Sequence, residues 1–527
     1  MTEDNSSEGQ ADQADQVTDG QPTQPPTNPE DPKVEILRYP QLTEELERGV
    51  SWRSLKYFGA GAIIASVTIG SGETFFASRG GALFGYTLLW CFIGSAIMKG
   101  VQVYGAARYM TLTGEHPMTH WKFLPGPRGW APALMGFISI ACFPFWLAGL
   151  PMFIGKTINW IFGVTGDDAQ LLMFGRTWGT LCIIVAVTLT WLQSYGLLEK
   201  VQTAIVGFLL MSMLAACFAS NPDWIKAIAG LVPNIPEWEP WVQKKYPDIA
   251  AKPTWVEIGL YLGAIGGGTY DYIGYVGCFR EKKWGLIGQH KTDVDAHETE
   301  AIAKSAATLP IETTDENIRR GRRWLIPTKI DVGVGFLCVL IFTICFVTLG
   351  AQILQPDEVA PEGNDLLNHQ AKFLTQFHPA MLYVYQIGIF MAFWGTIYGA
   401  YEIYLRTAYE CLLPLSAKLR KMPARKFRGI VLLYCAAGGL SLLWTMENPV
   451  KMVAPAAIIG GVFTCGLWCF GNIWVDWRFL PKQLRMGKML LILTWISGIV
   501  LTGLGIQAIY DAWIGPLIVM ITQSGAG

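Results

Sequence analysis

Two stretches place oxygen-bearing side chains and glycines where an apolar helix should run unbroken. The first, Thr68-Ile69-Gly70-Ser71-Gly72-Glu73, sits inside the apolar run 57–77. The second, Ala264-Ile265-Gly266-Gly267-Gly268-Thr269-Tyr270-Asp271, lies in the sixth apolar run. A spanning helix satisfies its backbone internally, so such breaks are tolerated only inside protein or beside a wet cavity. Two Gly-interrupted segments at matching places in two halves of a chain point to a midplane binding site. Half-helices ending around Ser66 to Ile69 and Gly263 to Ile265 would offer carbonyls and a favourable dipole to a cation. With the Glu73 carboxylate and the Ser71 and Thr269 hydroxyls, they form an oxygen set suited to a hard dication. The expected site is therefore Glu73, Ser71, Ile69, Gly70, Thr269, Gly266, Gly267 and Asp271.

Each of these residues has a plainer account. Glu73 would cap the outer half-helix through free N–H groups and touch no ligand. Asp271 opens the second half-helix, where capping and coordination weigh equally. Close helix packing uses single small residues, whereas three consecutive glycines read as unwound backbone. Lys99 lies inside a span and is expected to snorkel to the interface rather than pair with Glu73 or Asp271 as a substitute cation. Glu402 and Arg406, four apart near a span's end, read as an interfacial ion pair. All six histidines fall between apolar runs, which leaves no intramembrane imidazole relay. Glu115, His116 and His120 read as a surface cluster, and Cys465 and Cys469 as helix packing rather than a metal site. No nucleophile triad, phosphate-binding glycine loop or Walker motif appears, so neither an enzyme nor a cofactor is expected.

These residues need a membrane scaffold. The chain has 527 residues, of which 51% are hydrophobic and only 15% charged. That composition describes one large membrane domain, and a net charge of −1 gives nucleic acid no support. Residues 1–33 are polar and acidic, cannot bury enough surface to order themselves, and carry no secretory signal. Leu42 to Leu55 reads as an interfacial segment. Apolar runs of spanning length (about 20 residues) follow at about 57–77, 82–108, 131–155, 176–194, 199–219, 256–279, 328–350, 380–403, 428–446, 450–474 and 486–508. The tail 506–523 holds Asp511 and Pro516 and is a weaker twelfth. Basic residues cluster after spans six, eight and ten (Arg280 to Arg323, Lys418 to Arg428, Arg478 to Lys488), while the loop at 357–365 is acidic. The positive-inside rule then places the N-terminus and the basic loops in the cytoplasm.

Gly59-Ala60-Gly61, the first break, Gly81-Ala82-Leu83-Phe84-Gly85-Tyr86-Thr87-Leu88-Leu89-Trp90 and Thr113-Gly114 together resemble the Nramp family of divalent-metal transporters. Leu198-Glu199-Lys200-Val201 is similar to that family's entrance to helix 5, and Thr396 to Glu402 loosely to its polar helix 8. The resemblance implies an all-α, LeuT-type 5+5 inverted repeat with broken helices 1 and 6. It would place a first repeat at 51–219, an extracytoplasmic loop at 220–255, a second repeat at 256–474 and an additional helix and tail at 475–527. The departures are specific. Where the family's helix 1 has Asp-Pro-Gly-Asn, this sequence has Gly70, Ser71, Gly72 and Glu73. Where its helix 6 has Met-Pro-His, this sequence has glycines and Thr269. Its helix 3 carries acids, whereas Cys142 to Leu147 holds none. Loss of the thioether favours harder ions, as in the branch that moves magnesium.

The expected function is transport of a divalent metal ion, magnesium or manganese favoured, by a monomer in a bacterial-type inner membrane. A small organic solute such as an amino acid is the competing substrate, and a receptor or scaffold the third reading. A cavity of several hundred cubic ångströms would favour the solute. A break sealed by side chains would favour the scaffold.

Overall fold

The computed structural model describes residues 36–192, 195–289, 308–360 and 365–515, together with Ile518. Among them, eight helices are long and apolar enough to cross a membrane, nine if the bent pair between Ala60 and Phe84 counts as one. This is a multi-pass membrane protein, and among the described residues the regular structure is helical apart from one isolated bridge between Leu37 and Ile311. The first span is α1 (Ala60–Thr68), a π-helical segment (Ile69–Ala77) and α2 (Ser78–Phe84). After it come α3 (Leu89–Thr113), the short α4 (Pro117–Trp121), α5 (Trp130–Ile161), α6 (Asp168–Trp191) and α7 (Tyr195–Ala219). The sixth span is divided into α8 (Thr254–Ala264) and α9 (Thr269–Cys278). The long helices of the later spans are α10 (Asp315–Leu349), α11 (Met381–Leu412), α12 (Ala424–Thr445), α13 (Pro449–Ile458), α14 (Thr464–Phe479) and α15 (Lys488–Ile509), with shorter helices in the connections.

Every one of the eleven apolar runs is thus helical, and the arrangement is the LeuT-type one. The tail does not begin a separate span in its described part: α15 passes into a π turn at Tyr510–Ile514 that prolongs the eleventh. The N-terminal 33 residues lie outside the described ones. Around Leu42 to Leu55 the chain forms a short helix, Glu44–Arg48, and a 3-10 turn, Trp52–Tyr57, with Val50, Trp52 and Leu55 exposed.

The two breaks differ in kind. The sixth span is severed: Ile265 is extended, and Gly266 and Gly267 both turn to positive φ, +76° and +82°. Two such residues in a row require glycine, because a Cβ would clash with the following carbonyl. The first span is widened instead of unwound, a π segment with a bend of about 40°. Both lie at the centre of the bundle, flanked by α3, α5, α10 and α11.

Candidate functional site

The break in the sixth span exposes the carbonyls of Gly263, Ile265 and Gly267, and these are taken by an ammonium. Lys99 Nζ donates to them at 3.0, 2.5 and 2.7 Å. Lys99 is fully buried, so the expected snorkelling does not occur. The reason is partnership: three carbonyls at a helix C-terminus compensate a desolvated ammonium where lipid headgroups would have to be reached at full stretch. Tyr272 adds a hydroxyl donor to the carbonyls of Gly266 (2.7 Å) and Gly267 (3.1 Å).

The two carboxylates meet the same break from opposite sides. Glu73 Oε1 accepts the Gly266 N–H across 2.8 Å, so its capping contact is to the sixth span and not only to its own helix. Asp271 Oδ2 accepts the Gly268 N–H at 2.9 Å and caps α9. Each keeps one buried oxygen, Glu73 Oε2 and Asp271 Oδ1, without a hydrogen-bond partner. An unpaired buried carboxylate oxygen is costly, and it is the kind of atom a bound cation would satisfy.

In the first span, hydroxyls have claimed the carbonyls that the sequence left open. Thr396 of α11 donates to Ser66 O at 3.0 Å, Thr74 to Ile69 O at 2.8 Å, and Thr68 to Ile64 and Ala65 at 3.0 and 3.1 Å. Gly70 lets α11 approach, and Gly72 lies so close to Ala264 that a Cβ would fall 2.1 Å from its carbonyl oxygen. Thr269 points elsewhere. Its hydroxyl bonds Gly460 O at 3.1 Å and Thr464 Oγ1 at 2.5 Å, tying α9 to the π segment Ile459–Phe463. The Ser71 side chain lies outside the described ones.

Asp271 also lines a cavity of about 10 Å³, shared with Thr68, Gly267, Thr396, Trp146, Tyr270 and Tyr404 among others. That is room for about one water molecule or one bare ion. The hydroxyls of Thr68 and Thr396 donate to backbone and so retain lone pairs for a guest. The structure therefore brings together Asp271, Gly267 and Thr68 of the first span, and leaves Ile69, Gly70, Gly266 and Thr269 out of the chamber's lining.

Ion pairs fasten both ends of the first span. Near Phe84, Arg79 holds Glu257 of α8 with two bonds of 3.2 Å, both residues largely buried. Near Gly59, Lys282 pairs with Glu199 at 2.7 Å, and beyond α9 Arg280 pairs with Glu410 of α11 at 2.7 Å. Asp331 of α10, fully buried, accepts from the Gly59 N–H and the Tyr275 hydroxyl, each at 2.7 Å. Glu402 and Arg406 pair at 2.9 Å, as their spacing suggested. Arg79, Glu257 and Asp331 are not among the expected site residues, although Glu257 and Asp331 are charges within apolar runs, a signal on its own, and Arg79 falls between two runs.

The Glu115 cluster is not a surface feature. His116 and His120 are buried, because α4 tucks inward against α14. Burial pushes His116 down to about 4 and His120 down to about 3. His116 Nε2 faces Ile273 O at 3.1 Å, and His120 Nδ1 faces the Tyr109 hydroxyl at 3.0 Å.

Residues 61–245 match the family model described as natural resistance-associated macrophage protein-like, or Nramp. The match takes in nearly all of 57–114, where the resemblance is densest, and extends through the fifth span, while the resemblance expected over spans six to ten lies beyond it. A search of curated proteins finds no match. Among solved structures, the chain is similar to the Eremococcus coleocola manganese transporter in complex with an aromatic bis-isothiourea substituted compound. The TM-score is 0.58 at 13% identity, covering 91% of this chain and 90% of that one. Two single-residue variants of that transporter give 0.56 at 12% and 0.55 at 13% identity. At such identity the likeness establishes the fold.

Proposed function

We propose that this protein carries a divalent metal ion across a bacterial-type inner membrane, seating it at the small chamber beside Asp271. The observation that carries the reading is the chamber itself. It is one ion in size, lies between the two breaks, and is edged by a carboxylate with one unclaimed oxygen. An amino acid needs a cavity of several hundred cubic ångströms, far more than this space offers. Lys99 seals the carbonyls of the sixth span but leaves Asp271 facing the chamber, so a scaffold reading gains less from it. The Nramp match over the first repeat and the fold shared with a manganese transporter support the same substrate class.

Asp271 supplies the charge and the Thr68 and Thr396 hydroxyls supply neutral oxygens, while Glu73, outside the chamber's lining, holds the Gly266 N–H of the same break. Oxygen donors without a thioether suit magnesium or manganese above softer ions. With the N-terminus cytoplasmic, Arg79–Glu257 closes the outer end of the first span and Lys282–Glu199 the inner end. The protein works as a transporter without catalytic chemistry. Flux into proteoliposomes of magnesium, manganese, calcium and a mixture of amino acids tests the reading. Uptake of manganese or magnesium is expected, and amino-acid uptake with no metal uptake would overturn it.

A further inference from the structure

The ring of carbonyls at the end of α8 is a cation seat whose occupant belongs to the chain. Oxygens of Gly263, Ile265 and Gly267 lie 2.5 to 3.0 Å from Lys99 Nζ. They sit at a helix C-terminus, and the ammonium's three donors match three carbonyls one to one. Carbonyl rings of this kind are what replaces the hydration shell of a monovalent cation in a pore. The stem of Lys99 runs alongside the break: a Cβ on Gly266 would lie 3.2 Å from Lys99 Cδ. The nearby carboxylates, Glu73 and Asp271, are each hydrogen-bonded to the same backbone break.

We propose that Lys99 is a tethered cation that holds the seat of an inorganic monovalent ion at the sixth-span break. The seat is permanently filled, so the protein needs neither sodium nor potassium to organise its break or to balance the two carboxylates. The tether also keeps a substrate cation away from these carbonyls and directs it to the Asp271 chamber. Only that last consequence rests on the proposed transport of a metal.

The test replaces the ammonium by a neutral side chain of similar length, Lys99→Met, and offers inorganic ions in its place. Thermal melts of purified parent and variant are compared in choline, sodium and potassium chloride. The parent should melt at one temperature in all three. The variant should be destabilised in choline and recover by several degrees in sodium or potassium, as a site that binds the folded state requires. Melting of the variant at one temperature in all three salts would overturn the proposal. So would a variant that cannot be recovered folded in any of them, or a parent that itself gains stability from sodium or potassium over choline. These melts do not depend on what is transported. An absence of metal flux would therefore count against the proposed function and leave the seat to be judged by its own result.

Discussion

The Thr396 hydroxyl lies where a side chain at Gly70 would begin: a Cβ built on Gly70 would sit 1.6 Å from Thr396 Oγ1. By the resemblance of this stretch, Gly70 stands where the Nramp pattern has its aspartate. Here the Thr396 hydroxyl of α11 occupies that space, and the carboxylate we propose as the metal's ligand, Asp271, stands on α9. Gly70→Ala should therefore destabilise the protein by about 1–3 kcal/mol, as overpacking of a tight core does. Thr396→Gly in the same chain should restore part of that loss by removing both the hydroxyl and the Cβ beneath it. Thermal melts of the single and double variants check this. Equal melting of Gly70→Ala and parent would remove the steric argument.

The pair Arg79–Glu257 joins two half-helices, α2 of the first span and α8 of the sixth. Removing one partner breaks a largely buried ion pair, so Glu257→Gln alone should cost roughly 3–5 kcal/mol. Arg79→Gln together with Glu257→Gln should cost less than Glu257→Gln alone. Chemical denaturation of the three variants in detergent reads the difference. Simple additivity of the two single losses would mean that the pair is not coupled.

Much of this architecture was legible along the chain, and the reasons it was legible are local. The apolar runs give the spans, and glycines at 70, 72 and 266–268 give both breaks. What was not legible depended on partners distant in sequence. Lys99 stays buried because carbonyls at 263–267 await it, and Thr396 is significant because Gly70 leaves it room. His116 and His120 are polar residues between apolar runs, yet α4 folds them under α14. A hydropathy window has no access to any of these contacts. The choice between ligand and cap at Asp271 was also undetermined, and the geometry gives it one oxygen for the cap and one unclaimed.

The buried imidazoles set a pH dependence. His116 in the folded protein takes a proton only near pH 4, whereas an unfolded histidine does so near 6.5. Between those values the unfolded chain binds more protons, so this contribution to stability is present above about 6.5 and is lost as pH falls through the window. Glu115, pushed up by burial, works in the opposite sense. The contribution of His116 is therefore read as a difference between parent and His116→Gln. Melting temperature of the parent should fall more steeply from pH 7 to pH 5 than that of the variant, and parallel slopes would count against neutral burial.

Glu73→Gln separates the two tasks of that side chain. Its amide oxygen can still accept from the Gly266 N–H, so the fold should survive, while the negative charge at the break is lost. Manganese affinity should fall by roughly tenfold, about 1.4 kcal/mol. Unchanged affinity would leave Glu73 as a support for the backbone of the break and no more.

The most direct measurement is calorimetric titration of manganese into purified parent and Asp271→Asn. An asparagine can keep the cap on Gly268 and nearly the same volume, so the variant should melt close to the parent. The account predicts one manganese bound per parent chain and none detectable in the variant. Manganese binding to a well-folded Asp271→Asn protein with the parent's affinity would contradict it.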